Sequence, residues 1–149
     1  MLRLFETELF LPAGERASSS FGSILHGALM ERLPKALAAS LHEQDMRPYS
    51  QSVLWDKEGG FARWRIGVVG AALGEAIEAA LAQEESILLR QKGYEAQLGE
   101  RRLLLESSFE EIADRFFLAQ AGSKGAELAF LTPTSFKREG RYVLLPEFF

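Results

Sequence analysis

Residues 49–83 read YSQSVLWDKEGGFARWRIGVVGAALGEAIEAALAQ, and the succession of patterns inside this stretch decides the fold. Residues 49–55 and 61–69 are two runs rich in aromatic and β-branched side chains. They flank Asp56-Lys57-Glu58-Gly59-Gly60, whose glycines suit a hairpin turn. Phe61, Trp64, Ile66, Val68 and Val69 supply the apolar residues of the second run. From Ala71 to Gln83 the apolar spacing becomes helical, with Leu73, Ile77, Ala80 and Leu81 on one face of a small-residue helix. A hairpin that feeds directly into a helix needs further strands to complete its sheet.

Upstream, residues 1–10 alternate with period two. Leu2, Leu4, Glu6, Glu8 and Phe10 fall on one side, and Arg3, Phe5, Thr7 and Leu9 on the other. Apolar residues on both sides mark a central strand. Pro12-Ala13-Gly14 ends it, and Ser18-Ser19-Ser20 offers a helix start. Phe21, Ile24, Leu25, Ala28, Leu29 and Leu33 predict a helix over 21–33. Pro34 interrupts it as the first turn of a second short helix over 35–42, with Leu37, Ala38 and Leu41 on one side. Arg47-Pro48 turns the chain into the extended run quoted above.

Downstream, residues 87–90 and 94–105 read as extended chain with a bend near Gly99. A short helix over 108–119 opens on a capping box, Ser108-Phe109-Glu110-Glu111. Residues 122–125 form a loop. Strands are expected over 127–133 and 141–145, separated by Lys137-Arg138-Glu139-Gly140. The order strand, helix, strand, strand, helix, strand predicts an α+β domain of the ferredoxin-like (RRM-like) βαββαβ plan, with an extra short helix and β-hairpin, over residues 1–149. This plan hosts many activities, so function must come from a site.

Composition narrows the choices. Of the residues, 47% are hydrophobic and 26% charged, as in a soluble globular domain. There is no cysteine, which removes disulfides, thiolate metal sites and cysteine nucleophiles. No apolar run reaches the roughly 20 residues that span a bilayer, and the acid-containing start MLRLFETELF is not a signal peptide, so a cytoplasmic protein without membrane partners is expected. The net charge of −4 counts against strong RNA binding by this chain alone, since phosphate neutralisation supplies most such affinity.

The chain has two histidines, His26 and His42, as candidates for proton transfer near neutral pH. His42 ends the second helix, where it suits either a favourable interaction with the helix dipole or a functional role at a surface edge. His26 lies mid-helix, packed or partly exposed; Gly27 beside it permits close approach, and Met30 shares its face one turn later. Neither belongs to a metal-binding pattern such as HExxH, and the glycines build no phosphate-cradling loop with its lysine, so neither a metal nor another cofactor is expected. Arg47 follows His42 by five residues at the mouth of the same loop. Lys137, Arg138 and Arg141, flanked by Phe136 and Tyr142, form either a phosphate-holding, base-stacking hairpin or a solvated tip. Arg63, Arg65, Arg101 and Arg102 read as solvated charge flanking strands.

Three stretches, taken in order, resemble the CRISPR-associated repeat-RNA endoribonucleases. The first is Leu25-His26-Gly27-Ala28-Leu29 followed by Leu37-Ala38-Ala39-Ser40-Leu41-His42-Glu43. The second is Arg47-Pro48-Tyr49-Ser50-Gln51-Ser52-Val53-Leu54. The third joins Ser108-Phe109-Glu110-Glu111-Ile112 and Phe116-Phe117 to residues 130–137 and 140–146. The resemblance implies the first ferredoxin-like domain of a two-domain enzyme that cuts CRISPR precursor RNA within its repeats, without a metal, by attack of the 2′-hydroxyl on the adjacent phosphate. It maps a general acid or base onto His42 and a phosphate-stabilising cation onto Arg47. Some members carry a tyrosine on the first helix where this chain has Met30, which leaves that role empty or filled by His26.

The family's second domain, with its glycine-rich loop, has no counterpart before the chain stops at Pro146-Glu147-Phe148-Phe149. A truncation, a proteolysed fragment or a split subunit is expected. The expected partners are CRISPR repeat RNA, the family's carboxy-terminal domain or other CRISPR effector subunits, and a second copy of the chain in a homodimer; Phe148 and Phe149 suit docking to a partner or to the absent domain. Two other readings stand beside cleavage: a non-catalytic subunit that holds guide RNA, and a ferredoxin-like dimerisation module.

Overall fold

The computed structural model describes residues 1–18, 21–44, 47–118, 136–138 and 141–143. Strands β1 (Leu2–Phe10), β2 (Tyr49–Asp56), β3 (Phe61–Val69), β4 (Ser86–Leu89) and β5 (Tyr94–Ser107) form one antiparallel sheet in the order β2-β3-β1-β5-β4. Helices α1 (Phe21–Met30) and α2 (Lys35–Glu43) connect β1 to β2, and α3 (Ala71–Ala82) follows β3. Without β4 the order is that of the split βαβ plan, so the architecture is the expected ferredoxin-like one with β4 added as a hairpin at one edge. β1 is central, between β3 and β5, as its two-sided apolar pattern predicts.

The register sorts the sheet into two faces. Phe5, Thr7 and Leu9 of β1 stand opposite Ile66, Trp64 and Ala62 of β3, and these pack with the helices. Trp64 is fully buried, and removing a ring of that size from water is worth roughly 5 kcal/mol as an upper bound. α1 adds Phe21, Leu25 and Leu29 to this core, α2 adds Leu41, and α3 adds Ile77 and Leu81. The opposite face carries Glu6, Glu8, Arg65 and Arg63 on alternate positions.

Local sequence explains the joints. Asp56 accepts hydrogen bonds from the Glu58 and Gly59 amides (3.1 and 2.9 Å), closing the β2–β3 turn, and Gly60 takes a φ of 70°. Gly70 (φ 106°) lets β3 turn into α3. The expected bend near Gly99 is a bulge: the β1–β5 register shifts between Thr7 and Leu9. A Cβ on Gly99 would lie 2.5 Å from the Phe10 ring, so a larger residue there has to displace that side chain.

Several boundaries differ from expectation. α1 ends at Met30, three residues short, and Leu33 is buried in the following turn. Pro34 is the N-cap of α2 rather than part of its first turn. The capping box forms as read, with Ser108 accepting from the Glu111 amide, but α4 (Phe109–Ala113) then widens into a π-helical turn over Asp114–Leu118. Lys137 and Arg138, expected in a turn, lie on strand β6 (Phe136–Arg138), which pairs with β7 (Arg141–Val143). That backbone pairing forms a second, separate sheet. The loop over 122–125, the strand over 127–133 and the terminal phenylalanines fall outside the described residues.

Candidate active site

α1 and β2 meet at one end of the helix-covered face, and their junction is held by half-buried polar groups. Gln51, on the helix-facing parity of β2, donates to the Gly22 carbonyl in the first turn of α1 (2.8 Å) and accepts from the Trp64 indole (3.1 Å). This linkage fixes α1 against β2 and so sets the height of His26 above the sheet. Pro48 accepts from the Val69 amide (2.8 Å), which pins the chain where Arg47 enters β2.

The structure brings His26, His42 and Arg47 to this one corner. The imidazoles of His26 and His42 meet edge to face, with centroids 5.8 Å apart and planes at 85°. His26 is half-buried, while His42, in the last turn of α2, and Arg47 are exposed. An open groove beside them is lined by Ser23, His26, Arg47, Tyr49, Ser50 and Gln51. Burial holds the His26 pKa below its ordinary value, and the nearby positive charges of Arg47 and His42 push in the same direction. His26 is therefore neutral at pH 7, with a ring nitrogen able to accept a proton.

A further residue joins the cluster. The Tyr49 hydroxyl is hydrogen-bonded to His26 Nδ1, and the two ring planes are inclined by only 9° with centroids 6.0 Å apart. The hydroxyl therefore meets the imidazole close to its own plane, where the nitrogen lone pair or N–H lies. Burial raises the Tyr49 pKa, with Arg47 opposing, so the phenol stays protonated. Sequence reasoning missed Tyr49 as a site residue. Its parity with Gln51 and Val53 was the available signal, since it puts the ring on the side where α1 crosses. Met30, weighed as the residue in the place of a helix tyrosine, is instead buried in the core.

The remaining basic candidates separate. Lys137, Arg138 and Arg141 lie on the β6–β7 ladder, with Lys137 opposite Tyr142 and Arg138 opposite Arg141; their side chains fall outside what is described. Arg63, Arg65 and Arg101, read as solvated flanking charge, are engaged. Arg65 pairs with Glu6 at 2.6 Å, Arg63 pairs with Asp56 at 2.6 Å, and Arg101 donates to the carbonyls of Ala82 and Glu84 at the end of α3. Arg102 pairs with Glu100. Among the described residues no cluster of histidine and carboxylate side chains could hold a metal ion, and no helix is long and apolar enough to cross a membrane.

No family model matches the chain. It is 30% identical over 145 residues to the CRISPR-associated endoribonuclease Cas6 of two strains of Mycobacterium tuberculosis, covering 94% of this chain and 44% of theirs. It is 28% identical over 128 residues to the Cas6 of Streptococcus thermophilus, covering 81% of this chain and 48% of that one. The chain thus spans rather less than half the length of the curated relatives it matches. Among solved structures it superposes on a Cas6 product complex with a TM-score of 0.59 at 22% identity, over 76% of this chain and 48% of the other, which supports the ferredoxin-like fold. By sequence and by fold together, this chain belongs to the Cas6 family of CRISPR-associated endoribonucleases.

Proposed function

We propose that this chain is the amino-terminal ferredoxin-like domain of a cytoplasmic, two-domain enzyme that cuts CRISPR precursor RNA within its repeats, and that the corner of His26, His42 and Arg47 does the chemistry. The observation that carries this reading is the pair of imidazoles 5.8 Å apart beside an arginine in an open groove. Two imidazoles supply both proton transfers that RNA transesterification needs, with no metal ion. His26, held neutral, takes the proton of the 2′-hydroxyl. The 2′-oxygen bonds to phosphorus, the bond from phosphorus to the 5′-oxygen breaks, and His42 protonates that leaving oxygen. The products are a 2′,3′-cyclic phosphate and a 5′-hydroxyl. Arg47 stabilises the extra negative charge on the phosphoryl oxygens in the transition state.

Lys137, Arg138 and Arg141 are the proposed phosphate contacts further along the RNA, on a basic hairpin with aromatic neighbours. The second half of the longer relatives is the proposed source of further RNA contacts, which fits a net charge of −4 on this half. The test is incubation of the chain with CRISPR repeat RNAs in excess chelator, alone and mixed with the second half of a longer relative. A single cut ending in a cyclic phosphate, lost in His42→Ala with RNA affinity retained, is the expected result. Salt-sensitive binding with no product at any pH, in either mixture, would make the chain a guide-holding subunit instead.

A further inference from the structure

We infer that Tyr49 is a positioning residue for the cleavage reaction: its phenolic oxygen accepts from Nδ1–H of His26 and turns the bare Nε2 toward the groove. The inference rests on the proposed role of His26 as the base. Nδ1 is already occupied by the Tyr49 hydroxyl, so Nε2 is the ring nitrogen left to meet a substrate. A neutral imidazole carries one N–H, and a base must present its lone pair. The proton therefore belongs on Nδ1, and the Tyr49 oxygen is its acceptor.

The surroundings explain why an acceptor matters here. Among the described residues the titratable and charged groups facing His26 are Arg47 from the chain entering β2, His42 from α2 and Tyr49 from β2. Two of these are cationic or able to become so, and both disfavour the imidazolium that forms when the 2′-hydroxyl proton arrives. Gln51 does not help, because its amide is committed to Gly22 and Trp64. Tyr49 is the residue whose oxygen meets His26 Nδ1. As Nε2 takes the proton, the Nδ1–H to oxygen contact becomes a charge-assisted hydrogen bond, which is stronger than the one it replaces. A carboxylate in this place would raise the pKa of the imidazole; a phenol orients the ring while leaving it neutral for the start of the reaction.

Position along β2 fixes the geometry. Tyr49 is the first residue of the strand and stands opposite Val68, which is buried. Its ring is thus anchored in the sheet and not on the loop that carries Arg47.

The deciding measurement is long-range proton–nitrogen NMR of the chain labelled with ¹⁵N-histidine, with His42→Asn used to assign the two rings. We expect Nδ1 protonated and Nε2 bare on His26 above its titration, and a mixture of tautomers in Tyr49→Phe, which keeps the ring and loses the hydroxyl. In single-turnover cleavage Tyr49→Phe should slow the chemical step roughly 10- to 100-fold, less than loss of a charged orienting group, with RNA affinity unchanged. The acidic limb of its rate profile should move to lower pH, because the imidazolium has lost its acceptor. A protonated Nε2 in the unsubstituted chain overturns the inference, whether or not the chain cleaves on its own. So does wild-type cleavage by Tyr49→Phe while His26→Ala is inactive. Wild-type cleavage by His26→Ala overturns the proposed base itself, and the role of Tyr49 with it.

Discussion

The open face of this sheet and the histidine corner handle positive charge in opposite ways. On the open face each arginine has a carboxylate: Arg65 has Glu6, Arg63 has Asp56, and Arg102 has Glu100. At the histidine corner, Arg47 has no carboxylate partner among the described residues, and the imidazoles face each other and a phenol. Paired charges fix geometry and leave little field for a ligand, whereas an arginine without such a partner among the described residues, beside a neutral imidazole, suits the proposed handling of phosphate and proton. The corner is where the fold leaves its polar chemistry unspent.

The comparison breaks most readily at the corner. Ala in place of His26 or His42 should lower single-turnover cleavage of repeat RNA by about 10²- to 10⁴-fold, and Arg47→Ala by about 10²-fold, while Arg63→Ala stays within a few-fold of wild type. Comparable losses at Arg63 would show that the open face takes part in the chemistry. Salt titration sharpens the same contrast: Arg47→Ala should reduce the slope of log affinity against log salt by about one, and Arg65→Ala should leave it unchanged.

Stability should respond the other way round. Arg65→Ala leaves the Glu6 carboxylate, 5% exposed, without its partner and should cost about 1–2 kcal/mol in chemical denaturation; Arg47→Ala should cost almost nothing. Ser108→Ala removes the cap of α4 and should cost about 1 kcal/mol. The smallest effect expected is that of pH. The His26 pKa is lower folded than unfolded, so the unfolded chain binds the proton first, and stability falls as pH drops below about 6.5. His26→Gln should flatten that slope, and an unchanged slope would place the titrating group elsewhere.

The parts of the fold legible in the sequence are those set by short-range pattern. Apolar residues on both sides of residues 1–10 made β1 central, the Gly-rich turn after Asp56 made the hairpin, and Ser108 with Glu111 made the cap. What stayed hidden depends on crossings between distant segments. Nothing within Arg47-Pro48-Tyr49 says that a helix begun at Phe21 will lay its sixth residue against the tyrosine. Arg101 read as solvated because its partners are backbone carbonyls at the end of α3, which carry no side-chain signal. Lys137 and Arg138 read as a turn because lysine and arginine are common there, while their pairing with Tyr142 and Arg141 is a matter of register.

β1 and β5 are unequal in length where they pair: residues 2–10 of one run beside residues 97–107 of the other, nine against eleven. The two surplus residues are absorbed at two shifts, one next to Gly99 and one between the partners of Leu4 and Phe5. A folding chain could therefore align these strands in more than one phase, and regular alternation would favour a straight ladder in which the first surplus residue is never looped out. Downstream of that point such a ladder would send Arg101 to the solvent side and Arg102 toward the helices. Gly99 favours the bulged alignment, because it lets the chain pass close to the Phe10 ring without displacing it. A β-branched residue in place of this glycine should therefore show itself as a slow refolding phase and a population of misregistered sheet.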